Sequence, residues 1–126
     1  MQFDDLPRRT FLLGGLVGCV GLAAPMPLIA QQRTAAGALM TMFRDPGCGC
    51  CTAWASQARS AGYRVSVRNS AEMAAVKRRL GVPVALASCH TTVVNGFVVE
   101  GHVPFEAVAR LLDQRPADVR GIAVPG

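Results

Sequence analysis

Aromatic residues are scarce in this sequence, making up 6% of 126 residues with one Trp and one Tyr. Charged residues are also few, at 17%, and the only basic triplet is Lys77-Arg78-Arg79. With so little aromatic interleaving, the basic groups do not compose a nucleic-acid surface. The net charge of +5 reads instead as dispersed, solvated Arg and Lys, with the triplet complementing the C-terminal dipole of a helix. The length leaves room for one small domain plus an appended segment, which excludes a second sizeable core. Also absent is the pair of C-x-x-C chelates that a closed mononuclear zinc site commonly uses. Five cysteines are present, but they are clustered rather than spaced as a disulfide scaffold would have them.

No charge occurs between Arg9 and Arg33, and an apolar run extends from Phe11 to about Ala30. Its opening, Arg8-Arg9-Thr10-Phe11-Leu12-Leu13, resembles the twin-arginine export motif. Gly14, Gly15, Gly18, Gly21, Pro25 and Pro27 make the run a poor permanent membrane span, so a cleaved signal is expected. Leu16-Val17-Gly18-Cys19 also resembles a lipobox, in which Cys19 would carry lipid. Both routes lead out of the bacterial cytoplasm. The sequence therefore predicts an export signal and linker over 1–37 and a periplasmic domain over 38–126. Membrane association is expected only through the signal or through lipid on Cys19.

Within 38–126 the elements alternate. Ala38 to Phe43 reads as a strand stopped by Asp45-Pro46-Gly47, with Met40 and Met42 as core residues. Cys51, Trp54, Ala55, Ala58 and Ala61 fall on one helical face ended by Gly62, which puts Cys48 and Cys50 in a loop at a helix start. Tyr63, Val65 and Val67 alternate as a half-exposed strand. Ser70 is positioned to cap a second helix, with Met73, Val76 and Leu80 as its buried stripe and Gly81 as its stop. Val82-Pro83-Val84-Ala85-Leu86 reads as a third strand, followed by a polar insert, Ser88-Cys89-His90-Thr91-Thr92. Asn95-Gly96 marks a tight hairpin between Val93-Val94 and Phe97-Val98-Val99. A last helix starts at Pro104, with Val108, Leu111 and Leu112 as its apolar face, and the tail to Gly126 reads as a loop. The layout is α/β: a small central mixed sheet flanked by helices, after the export signal.

The chemistry concentrates in Asp45-Pro46-Gly47-Cys48-Gly49-Cys50-Cys51. Three thiols in four residues suit either a soft-metal chelate or, through Cys48 and Cys51, a C-x-x-C redox pair. Exposed amides and the helix dipole favour thiolates at that position under both readings. A dithiol oxidoreductase needs only two thiols, and a third at Cys50 invites off-path pairing, which leans the motif towards metal. Crowded thiolates prefer Cu(I), with sulfurs bridging several ions. Zinc through Cys48, Cys51, Cys89 and a His is the less favoured metal. Cys89 and His90 lie in the polar insert. If 83–89 were one unbroken strand, Cys89 would end roughly 20 Å from Pro83, so the insert must fold back for Cys89 to ligate.

The order of elements, with C-x-x-C at a helix start and Gly81-Val82-Pro83 before a strand, resembles the thioredoxin fold. That resemblance implies a cis Pro83 facing the cysteines and brings His102 back beside them. Four segments, Asp45 to Cys51, Gly81-Val82-Pro83, Ser88-Cys89-His90-Thr91 and Glu100-Gly101-His102-Val103-Pro104, together resemble the successive signatures of the DUF411 (CopG-like) family. The resemblance covers about residues 39–126. It implies a thioredoxin-like, exported metal-binding protein of bacterial copper resistance, with copper ions and other periplasmic copper-handling proteins as partners. The implied metal ligands are Cys48, Cys50, Cys51, Cys89, His102 and His90. Two alternatives stand beside this reading: a thiol-disulfide or copper-linked oxidoreductase using Cys48 and Cys51, and a structural zinc module.

Overall fold

The computed structural model describes residues 37–126. The apolar leader, the Arg8-Arg9 pair and Cys19 lie outside the described residues. The elements are β1 (Leu39–Arg44), α1 (Gly49–Ser60), β2 (Arg64–Asn69), α2 (Met73–Arg79), a 3-10 turn (Val84–Leu86), β3 (His90–Val94), β4 (Phe97–Glu100), α3 (Phe105–Gln114) and β5 (Gly121–Ala123). They build one five-stranded sheet of order β2-β1-β3-β4-β5. The outer pairs β1/β2 and β4/β5 are parallel, and β3 runs antiparallel to both β1 and β4. The expected small mixed sheet flanked by helices is therefore present. No helix among the described residues is long and apolar enough to cross a membrane.

Strand periodicity assigns the two faces. Met40 and Met42 of β1 share a face with His90, Thr92 and Val94 of β3 and with Phe97 and Val99 of β4. That face is covered by Trp54, Ala55 and Ala58 of α1 and by Val108, Leu111 and Leu112 of α3, which form the hydrophobic core. On the opposite face Thr91 and Glu100 meet Lys77 of α2, and Arg79 lies over the Phe43 ring. Asn95 and Gly96 both have positive φ, as the tight hairpin between β3 and β4 requires.

Several expectations are corrected. Val82 to Leu86 is not a strand: Leu86 N–H donates to the Pro83 carbonyl and Ala87 N–H to that of Val84, closing a 3-10 turn. Both positions beside β1 are taken, by β2 and β3, and this apolar stretch pairs with no strand of the sheet. Val84 is accordingly 88% exposed. The Val82–Pro83 peptide is trans, since no cis peptide occurs among the described residues. The polar insert instead supplies the central strand, in which β-branched Thr91 and Thr92 are fully buried. Ser70 does not cap α2. Its hydroxyl accepts from Glu72 N–H at 3.1 Å, and Glu72 takes the cap position. The C-terminal tail is more than a loop, because Gly121 to Ala123 extend the sheet beside β4. Lys77 is not a solvated helix end either; it is 12% exposed and paired with buried Glu100.

Gly101, just after β4, links the sheet to the third helix at positive φ (+74°), and its N–H donates to the His90 carbonyl at 2.9 Å. A Cβ there would lie 2.5 Å from the Val124 carbonyl oxygen and 2.6 Å from Ser88 Oγ. Gly101→Ala therefore combines backbone strain with overlap, and urea denaturation should show a loss of about 2–5 kcal/mol.

Candidate metal centre

The cysteine loop is closed from within. Asp45 Oδ1 accepts from Gly47 N–H at 2.8 Å, and Cys48 N–H donates to the Asp45 carbonyl at 3.1 Å. This turn brings the chain into α1 with Cys48 as the residue before the first helical turn, so Cys51 lies in the helix as expected and Cys50 lies there too rather than in the loop. Arg44, at the end of β1, holds the loop from below. Its guanidinium donates to the Cys48 carbonyl (3.1 Å), the Pro46 carbonyl (3.0 Å), Asn69 Oδ1 (3.2 Å) and the Thr52 hydroxyl. Sequence reading missed this clamp. Its signal was an arginine one residue before the Asp-Pro-Gly turn, where a planar fork of donors can satisfy several loop carbonyls together.

Cys48 and Cys51 are joined by a disulfide across the first turn of α1. Cys51 is fully buried, Cys48 half-buried and Cys50 exposed, with Cys50 Sγ 3.4 Å from Cys48 Sγ. The second wall comes from the segment entering β3. The antiparallel register pairs Arg44 with His90, which places Cys89 beside the start of α1. The Cys89 carbonyl lies 3.8 Å from Cys51 Sγ, so this segment faces the cysteines. The insert does fold back. The four sulfur atoms of Cys48, Cys50, Cys51 and Cys89 all lie within 4.8 Å of one another.

A second cluster shares Cys89. One ligand atom each from Cys89, His90 and His102 lies within the same 4.8 Å limit. Cys89 Sγ is 3.2 Å from His90 Nδ1, and the His90 ring sits between Trp54 (4.8 Å between centroids) and His102 (5.3 Å). Trp54 is itself anchored by an Nε1–H bond to the Val103 carbonyl at 3.2 Å. His90 is wholly buried, yet its Nε2 has no hydrogen-bond partner. Such an orphaned nitrogen is costly unless a further group meets it. His102 is exposed, so the two histidines offer one buried and one accessible imidazole. All six candidate ligands thus converge on one end of the sheet.

Burial, with the electrostatic influence of neighbouring His102 and Lys77, pushes the His90 pKa down to about 4, keeping the imidazole neutral. Burial, with the hydrogen bond and charge of Cys50, pushes the Cys89 thiol up. A soft cation held by Cys89 would have to displace that proton. A cavity of about 450 Å³ on the α2 face, lined by Leu80, Val82, Pro83, Leu86 and Val98, has an apolar wall and lacks these groups, although it reaches Glu100.

The family model described as a protein of unknown function, DUF411, matches residues 86–126. Two solved structures, described as copper resistance protein copG in forms 2 and 1, are each 43% identical to this chain. The matches cover 71% of this chain and 71% and 70% of theirs, with TM-scores of 0.68 and 0.67. The chain belongs to the DUF411 family. A search of curated proteins returns no match. In this DUF411 chain the matched segment carries Cys89, His90 and His102, whereas Cys48, Cys50 and Cys51 come from the earlier strand–turn–helix corner. The fold, more than the matched segment, is what joins the two sets.

The depressed His90 pKa has a consequence for stability. A histidine whose pKa falls from about 6.5 unfolded to about 4 folded contributes stability above pH 6.5 that is lost as the pH drops. Metal-free protein should therefore lose about 2 kcal/mol between pH 7 and pH 5 in denaturant titrations, and His90→Gln should flatten that slope.

Proposed function

We propose that this chain is an exported metal-binding protein that takes up Cu(I) through Cys48, Cys50, Cys51, Cys89, His102 and His90, in copper resistance or homeostasis. The observation that carries the reading is the sharing of Cys89 between a four-sulfur cluster and a sulfur–imidazole cluster. A thiolate common to two donor sets is suited to bridge metal ions, and low-coordinate Cu(I) favours crowded soft ligands. The unpartnered His90 Nε2 and the neutral state of that ring fit a donor in waiting. The 43% identity to structures described as copper resistance proteins supports copper over zinc. The apolar leader after Arg8-Arg9 supports export to the periplasm, where other copper-handling proteins would be partners. Uptake requires reduction of the Cys48–Cys51 disulfide, because only free thiolates ligate.

Anaerobic titration of the reduced full chain with Cu(I) should show more than one tightly held ion per chain. The binding should be lost when Cys48, Cys50 and Cys51 are changed together to Ser. Saturation by zinc instead, or no tight binding, would sink the reading.

The Cys48–Cys51 disulfide at the start of α1 favours a second reading, a thiol-disulfide or copper-linked oxidoreductase. The order β-α-β-α-β-β-α that precedes β5, and the central antiparallel β3, support the thioredoxin-like designation behind it. Under this reading a disulfide-reductase assay, with a dithiol as electron source and with and without copper, should show turnover that Cys48→Ser abolishes while the fold persists. Turnover at the uncatalysed rate removes this alternative.

A further inference from the structure

Glu100 is the only buried acid among the described residues, at 2% exposure. Its carboxylate brackets the Cys89–His90 pair: Oε1 accepts from Ser88 N–H at 2.7 Å, and Oε2 accepts from the Thr91 hydroxyl at 2.6 Å. Ser88 immediately precedes the pair and Thr91 immediately follows it. Lys77 supplies the countercharge to Oε1 and donates to Thr91 Oγ1 at 3.0 Å. Glu100 lies on the α2 face of the sheet, opposite Trp54 and His90, and acts on the pair through its flanking backbone amide and hydroxyl. The next residue, Gly101, donates to the His90 carbonyl and leads directly into His102.

A buried ion pair is a poor source of net stability, because desolvating two charges offsets most of their attraction and an apolar pair of similar volume often does as well. What an apolar pair cannot do is fix a backbone amide and a hydroxyl at set positions. We propose that Glu100, neutralised by Lys77, is the positioning residue of the metal centre. It holds Cys89 and His90 so that the Cys89 sulfur faces both the cysteine loop and the two imidazoles. The inference rests on reading that centre as a copper site, and groups of this kind that orient metal ligands commonly govern affinity.

The test uses the reduced full chain and three variants: Glu100→Gln, the double variant Lys77→Gln with Glu100→Gln, and Thr91→Val, which removes one donor without changing charge. Two readouts are taken. The first is alkylation of Cys89 by iodoacetamide relative to Cys50 in metal-free protein, and the second is Cu(I) affinity by competition with a chelator. In the variants the Cys89-to-Cys50 alkylation ratio should rise several-fold and Cu(I) affinity fall about tenfold, as for loss of a ligand-orienting partner. The double variant should regain thermal stability relative to Glu100→Gln without regaining either property, which a purely structural role does not predict. Unchanged alkylation and affinity in the folded double variant or in Thr91→Val overturn the proposal, and Thr91→Val decides if the charge variants fail to fold. If the wild-type chain itself takes up no Cu(I), the copper reading fails and the alkylation ratio alone decides the positioning role.

Discussion

The antiparallel pairing of β1 with β3 is the constraint on which the rest of the molecule depends. Because Arg44 ends β1 opposite His90 at the start of β3, the chain leaving one strand and the chain entering the other meet at one end of the sheet. The first carries Cys48, Cys50 and Cys51 into α1; the second carries Cys89. A parallel arrangement would have put the two sulfur sets at opposite ends, about five residues of strand apart. Everything else at the centre serves this meeting: Arg44 steadies the loop, Trp54 backs the buried imidazole, and Gly101 returns His102 to the same end.

The two faces of the sheet divide the work. On the α1 and α3 side an apolar core excludes water from Cys51 and His90. On the α2 side a small polar cluster of Lys77, Thr91 and Glu100 replaces hydrocarbon packing with directed bonds. Directed bonds specify position more tightly than apolar contact does, at the cost of desolvating charge. It is consistent that they lie behind the strand bearing the candidate ligands.

Local signals in the sequence were legible where the physics is local. The cysteine-bearing helix start, the positive-φ Asn95-Gly96 hairpin and the apolar face of α3 all follow from turn chemistry and periodicity within a few residues. The core positions Met40, Met42 and Trp54 were legible for the same reason. What was not legible depends on partners distant in the chain. Val82 to Leu86 has the composition of a strand but pairs with no strand of the sheet, whereas His90-Thr91-Thr92 looks like a loop and becomes the central strand because Glu100 satisfies Thr91 from across the ladder. Lys77 reads as a solvated charge until its buried partner, twenty-three residues later, is known. The six candidate ligands were identifiable as residue types. Their convergence was not, since it needed the path of residues 87–92.

The spacing of the sulfurs along the chain also bears on how the molecule reaches its folded state. Cys48 and Cys51 are three residues apart, while Cys51 and Cys89 are separated by thirty-eight. Closing the longer loop in an unfolded chain costs about 2 kcal/mol more in entropy than closing the shorter one. Under oxidising conditions an unfolded chain therefore closes the short loop more readily than the long one. What brings Cys89 to the other sulfurs is the docking of β3 against β1, so their meeting is a property of the assembled sheet.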